Sequence, residues 1–157
     1  MSAAEKVEVT NYLPADYKPL AKIKDDYVPS DKEEYMCVKH LEYYRRKLLA
    51  WRAELLAESR ETMDNLKEEN WQEPDVADRA TRETDAGVEL RTRNRYLKLI
   101  TKIDEAQRRV DNGDYGFCEE TGDPIGLKRL EARPVATLCV EAQERQERFE
   151  KQYSDEE

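Results

Sequence analysis

Asp75, which follows Pro74, and Asp78 stand three residues apart. If a helix starts there, the two carboxylates occupy neighbouring positions in its first turn. Asp75 would then serve as the cap and Asp78 would sit at the positive end. Such a cap would also hold both carboxylates rigidly at the end of the helix. A second pattern is cationic: Arg91, Arg95, Lys98 and Lys102 recur at i, i+4, i+7 and i+11, along one helix face. Stripes of this kind are ordinarily solvated, here facing acidic residues such as Glu54, Glu58 and Glu61. The third pattern is a pair of thiols. Cys118-Glu-Glu-Thr121 and Cys139-Val-Glu-Ala142 have the spacing of a Cys-x2-Cys…Cys-x2-Cys zinc site with the second member of each pair missing. Four thiolates complete the tetrahedron of zinc, whereas Thr121 is a poor ligand and Ala142 is none. The plain reading is two small buried thiols; the sharper readings are partial metal binding or redox sensing. Cys37 and His40 fall on the first predicted helix and are not spaced to fill the gap. His40, the lone histidine, stands among charged residues and is expected at the surface. With no glycine-rich phosphate loop and no nucleophile beside a base, the sequence offers no independent active site, and an enzyme is not expected.

The elements that would position these residues are legible from periodicity. Of 157 residues, 40% are charged and 38% hydrophobic, and mean hydropathy is −1.02. That balance suits long, thin helices better than one compact core. Residues 1–30 hold Pro14, Pro19 and Pro29 with no persistent stripe, and read as an irregular arm. Tyr12, Leu13, Tyr17, Leu20, Ile23, Tyr27 and Val28 could dock it elsewhere. Ser30 and Glu33 stand in capping-box relation, predicting a helix start at Ser30. Leu41, Leu48, Leu55 and Leu49, Leu56, Met63 form two rows seven apart, on one face. Forty uninterrupted helical residues would span about 60 Å. The run ends before Pro74. A second helix is predicted from near Asp75, with Tyr96, Leu99, Ile103, Ala106 and Val110 as its apolar row and Leu90, Leu97 and Ile100 widening it. Asp111-Asn112-Gly113 should end it.

The expected architecture is therefore all-α dominated. A long antiparallel coiled-coil hairpin occupies 31–111, its tip near 70–80. A small zinc-finger-like knuckle and a C-terminal helix, near 138–152, fill 112–157. Tyr115, Phe117, Ile125, Leu127, Leu130, Val135 and Leu138 are the candidate knuckle core, small enough that docking on the hairpin base must help. The net charge of −9 disfavours sequence-specific DNA binding by the chain itself. The absence of an 18-residue apolar run and of a signal-like N-terminus points to a cytoplasmic chain with reduced cysteines and no membrane association.

The run Asp111-Asn-Gly-Asp-Tyr-Gly-Phe-Cys118, followed by Pro124-Ile-Gly-Leu-Lys-Arg-Leu-Glu-Ala-Arg-Pro134 and Ala136-Thr-Leu-Cys139, closely resembles the C-terminal finger of the DksA/TraR family. The likeness extends to Glu89–Arg95, to Lys98-Leu-Ile, to the tip Asp75-Val-Ala-Asp78-Arg-Ala80, and to Glu34-Tyr-Met36 and Leu49-Ala-Trp-Arg52. It covers about residues 31–150. The resemblance implies a transcription regulator that enters the secondary channel of RNA polymerase, acts as a monomer, and shifts initiation at stringent-response promoters with guanosine tetraphosphate (ppGpp). By the same resemblance, Asp75, Asp78 and Ala80 form a tip that acts near the active centre and is needed for function but not docking. Arg91 and Arg95 correspond to polymerase-rim positions. Leu99, Lys102 and Arg133 line the ppGpp site, while a further basic position is here Gln143. Members usually carry four finger cysteines. Cys118, Thr121, Cys139 and Ala142 instead resemble the cysteine-poor, zinc-independent variety, which puts the zinc in question and not the polymerase role; no metal is expected there. Two alternatives stay open: a transcript-cleavage cofactor using the acidic tip with Mg²⁺, and a generic coiled-coil adaptor.

Overall fold

The structure, a computed structural model, describes residues 13–69 and 76–156. Helix α1 runs Val38–Glu69 and helix α2 runs Val76–Asn112, about 48 and 56 Å at the usual rise. They lie against each other as the predicted antiparallel hairpin. A short helix α3, Leu127–Ala132, belongs to the knuckle, and α4, Val140–Asp155, closes the chain. The knuckle's one β-type contact among the described residues is an isolated bridge between Phe117 and Pro124.

The first helix starts eight residues later than Ser30. The Ser30 hydroxyl accepts from Lys32 N, and the Glu33 amide bonds the Ser30 carbonyl, so a turn forms. Both oxygens of Glu33 are taken by the Tyr27 hydroxyl at 2.9 Å, which draws the carboxylate away from a capping role. Met36 then adopts φ 55°, and helical bonding begins only with Leu41 N on Cys37 O. The end of α2 falls where the sequence placed it. Gly113 (φ 80°) bonds Val110 O, and Asp114 N bonds Arg109 O, the paired reversal that glycine's left-handed freedom allows after a helix.

One buried cluster spans hairpin base and knuckle: Tyr43, Tyr44, Leu48 and Leu55 from α1, Ile100, Ile103, Ala106 and Val110 from α2, then Tyr115, Ile125, Leu130 and Val135. The predicted rows are thus buried at the base only. Leu90 and Leu97, expected to widen the stripe, are exposed, and no described residue of α2 before Ile100 is buried. Two helices alone cannot enclose a core; burial lasts only as far as the knuckle and arm supply a third side. Tyrosines bridge the parts. Tyr44 meets Tyr43 edge to face at 5.1 Å and Tyr115 at a tilt at 5.6 Å, and the Tyr115 hydroxyl donates to Pro134 O.

The arm docks through one buried carboxylate. Glu42, fully buried, accepts from the Tyr17 hydroxyl at 2.7 Å, from Leu20 N at 3.0 Å and from the Arg46 guanidinium at 2.7 Å. Arg45 lies over the Tyr17 ring, and Ile23 and Tyr27 pack on the core. Leu20 and Val28 stay exposed, while Tyr12 lies outside the described residues.

Candidate functional site

Three regions hold the candidate residues. At the far end of the hairpin, Asp78 stands exposed in the first turn of α2, and Ala80, two residues further on, is exposed as well. Asp75 and its capping role lie outside the described residues. Along α2, Arg91, Arg95, Lys98 and Lys102 are all exposed, and none forms an ion pair among the described residues. The interhelical pair uses Arg52 and Asp104 at 2.8 Å instead, leaving the stripe to water. Arg95 lies against the Tyr96 ring, 5.9 Å from its centroid.

At the base, α2, α3, the loop after α3 and the start of α4 converge on a pocket of about 130 Å³. Lys102 and Glu105 come from α2, Arg129 and Arg133 from α3 and its end, and Gln143 from the first turn of α4. Lys102 and Arg133, 31 positions apart in sequence, are thereby brought to one site. Leu99, one turn before Lys102, packs on the hairpin core and does not line the pocket. Gln143 stands where the resemblance expects a cation, and its amide donates to Glu147 at 2.9 Å. Arg129 went unnoticed in the sequence. It is half-buried, its Nε donates to Leu138 O, and only tertiary folding turns it into the pocket. Three cations against one carboxylate make this a positive recess in an acidic protein, suited to phosphate. Its volume is far below that of a pocket enclosing a whole nucleotide. It has room for a group of about the size of a phosphate.

Behind the pocket lies the knuckle with the cysteine remnants. Cys118 is buried and Cys139 half-buried, and both thiols are free. Ala142 is fully buried and offers only a methyl group. The Thr121 hydroxyl accepts from Asp123 N and lies 3.9 Å from Cys139 Sγ. Two sulfurs, a committed hydroxyl and a methyl do not fit tetrahedral zinc. Packing and hydrogen bonds hold the loop instead. The Tyr35 hydroxyl donates to Gly116 O at 2.7 Å and receives Gly126 N at 2.9 Å. Arg109 donates to Asp114 O and Phe117 O and pairs with Glu119. Gly116 stands at φ 89°, and a Cβ there would lie 2.5 Å from Met36 Sδ, so a larger residue would be strained and would push the Met36 side chain aside.

The finger geometry still favours a thiolate. Burial opposes ionisation of Cys118, but the Thr121 hydroxyl and the amides of Cys139, Thr121 and Glu120 outweigh it and lower the pKa from 9.0 to about 6. The folded value lies below the unfolded one, so the stabilisation is complete above the unfolded pKa and fades as pH falls toward 6. Relative to Cys118→Ala, wild-type stability should therefore rise between pH 6 and 9. Urea midpoints measured at several pH values check this; parallel curves would refute it.

The molecule is a helical hairpin braced at its base by a small knuckle that carries a cationic pocket. Residues 40–110 match the family described as DnaK suppressor protein DksA, N-terminal domain, and residues 113–148 match the prokaryotic dksA/traR C4-type zinc finger. The RNA polymerase-binding transcription factor DksA of Caulobacter vibrioides is 59% identical over 132 residues, covering 84% of this chain and 93% of that protein. Its counterpart in Escherichia coli K12 is 41% identical over 128 residues, covering 82% and 85%. The solved structure of transcription factor DksA2 from Pseudomonas aeruginosa superposes with a TM-score of 0.69 at 46% identity, covering 74% of this chain and 90% of that one. The chain belongs to the DksA/TraR family. No described helix is long and apolar enough to cross a membrane.

Proposed function

We propose that this protein is an RNA polymerase-binding transcription factor. As a monomer it inserts the α1–α2 hairpin into the secondary channel, and it adjusts initiation at stringent-response promoters together with ppGpp. It works by placement, without catalysis of its own and without reading DNA sequence. In this reading Asp75, Asp78 and Ala80 act at the active centre, and Arg91 and Arg95, neither of which forms an ion pair among the described residues, meet an acidic surface at the channel rim. Lys102 and Arg133, with Leu99 beside them, form half of a ppGpp site that polymerase completes.

The observation that carries the proposal is the pocket. A half-site of cations, too small for a nucleotide, is what a ligand bound between two proteins requires. Pull-down with core polymerase, followed by initiation assays with and without ppGpp, tests the reading. Lys102→Ala and Arg133→Ala should each weaken the ppGpp response about tenfold or more, as expected for one lost charge-assisted phosphate contact, with polymerase binding retained. Gln143→Lys should strengthen it. An unchanged response in both alanine variants would remove the pocket from the mechanism; failure to capture polymerase would remove the function.

A further inference from the structure

A second group of ligand-type side chains lies away from the finger, where the chain enters α1. Glu33, Cys37 and His40 follow one another at i, i+4 and i+7, and their carboxylate oxygen, sulfur and ring nitrogen lie within 4.8 Å of one another. His40, expected at the surface, is fully buried. Its Nδ1 accepts from Met36 N at 3.3 Å, but its Nε2 has no hydrogen-bond partner. Glu33 Oε1, the acceptor nearby, is 3.8 Å away, beyond hydrogen-bond reach. Leaving a buried ring nitrogen unsatisfied costs about 1–3 kcal/mol. The Glu33 carboxylate is meanwhile oriented by the Tyr27 hydroxyl on both its oxygens. Supporting bonds of this kind are what orient the ligands of a metal.

We propose that Glu33, Cys37 and His40 bind one divalent transition ion of the zinc class, distinct from the remnant finger. One thiolate, one imidazole and one carboxylate are a borderline donor set that suits Zn²⁺ or Co²⁺, and too poor in oxygen for Mg²⁺ or Ca²⁺. The fourth position of the tetrahedron goes to water. On binding, the Cys37 thiol releases its proton to solvent and His40 stays neutral. Ligation through Nε2 places the ring proton on Nδ1, so the long contact from Met36 N is given up. Met36 stands at φ 55° with its side chain against Gly116, so the ion is coupled to the contact that closes the knuckle. A metal at this entry would brace the base that the finger has ceased to brace with zinc.

The test uses the full-length protein, freed of metal with a chelator and titrated with Co²⁺ and with Zn²⁺. One equivalent of Co²⁺ should produce a thiolate-to-cobalt charge-transfer band and strong tetrahedral d–d absorption. Both should vanish in Cys37→Ser and His40→Gln and persist in the Cys118→Ser/Cys139→Ser double variant. Tyr27→Phe should weaken affinity by roughly 10–100-fold, as for loss of a supporting hydrogen bond. Zn²⁺ should raise the melting temperature of wild type but not of Cys37→Ser, with helical circular dichroism as the check that the variant is folded. A band that survives Cys37→Ser but disappears in the double variant would place the ion in the finger and overturn the proposal. So would the absence of any thiolate–cobalt band in wild type.

Discussion

Asp78→Asn is expected to cut promoter inhibition tenfold or more while leaving polymerase affinity within about twofold, since a single lost charge-assisted contact is worth roughly 1.5–3 kcal/mol. Asparagine keeps the size of the side chain and removes only its charge. Asp78 is exposed in the first turn of α2, where a carboxylate adds about 0.3–1 kcal/mol to the helix. The buried cluster begins at Ile100 on this helix, far along from the substitution. Folding and docking should therefore survive, and only the act at the end of the probe should fail. Competition binding to core polymerase alongside transcription at a stringent promoter separates the two. Equal loss in both assays would mean that the tip docks and does not merely act. RNA cleavage in backtracked complexes, lost in the variant, would point to a different chemistry for the same carboxylate.

Glu42→Ala carries the largest expected cost in stability, about 3 kcal/mol. It removes three hydrogen bonds at once and leaves the Arg46 guanidinium and the Leu20 amide facing an apolar side chain. Arg46 is 20% exposed and can turn to water, which keeps the effect at the lower end for a broken buried pair. A chain of this size should lose roughly 6–12 °C in melting temperature. The arm loses its anchor first. Limited trypsin digestion should cut after the exposed Lys22 and Lys24 under conditions where wild type resists. Glu42→Gln, which can still accept from Leu20 N, should be milder. Unaltered digestion of the alanine variant would show that Ile23 and Tyr27 hold the arm by themselves.

Periodicity was enough to read the hairpin, its second helix and the stop at Gly113, because each rests on local rules of spacing and capping. The start at Ser30 was misread for a tertiary reason: Glu33, the partner a capping box needs, is claimed by Tyr27. His40 looked exposed because its sequence neighbours are charged. Its ring is met by Glu33, Met36 and Cys37, which the turn before α1 gathers around it and which a helix starting at Ser30 would place differently. The tyrosines that tie base to knuckle, Tyr35, Tyr43 and Tyr44, carry no periodic signal that separates them from surface aromatics. The pocket was half legible. Lys102 and Arg133 came through the family likeness, whereas Arg129 and Glu105 join it only once the fold brings their side chains to one recess.

The tapering of the core toward the tip has an evolutionary consequence. Beyond Leu55 and before Ile100, Ser59 is the one buried residue among those described, and Leu56, Tyr96 and Leu99 are only half-covered against the core. Substitutions there meet water on most sides, so most fall within about half a kilocalorie of neutral for folding. The working end of the molecule is thereby released from the selection that maintains its foundation. Charge and length along this stretch can therefore change without unfolding the chain, and whatever holds the tip carboxylates in place is function, while the tyrosine-bound base tolerates little.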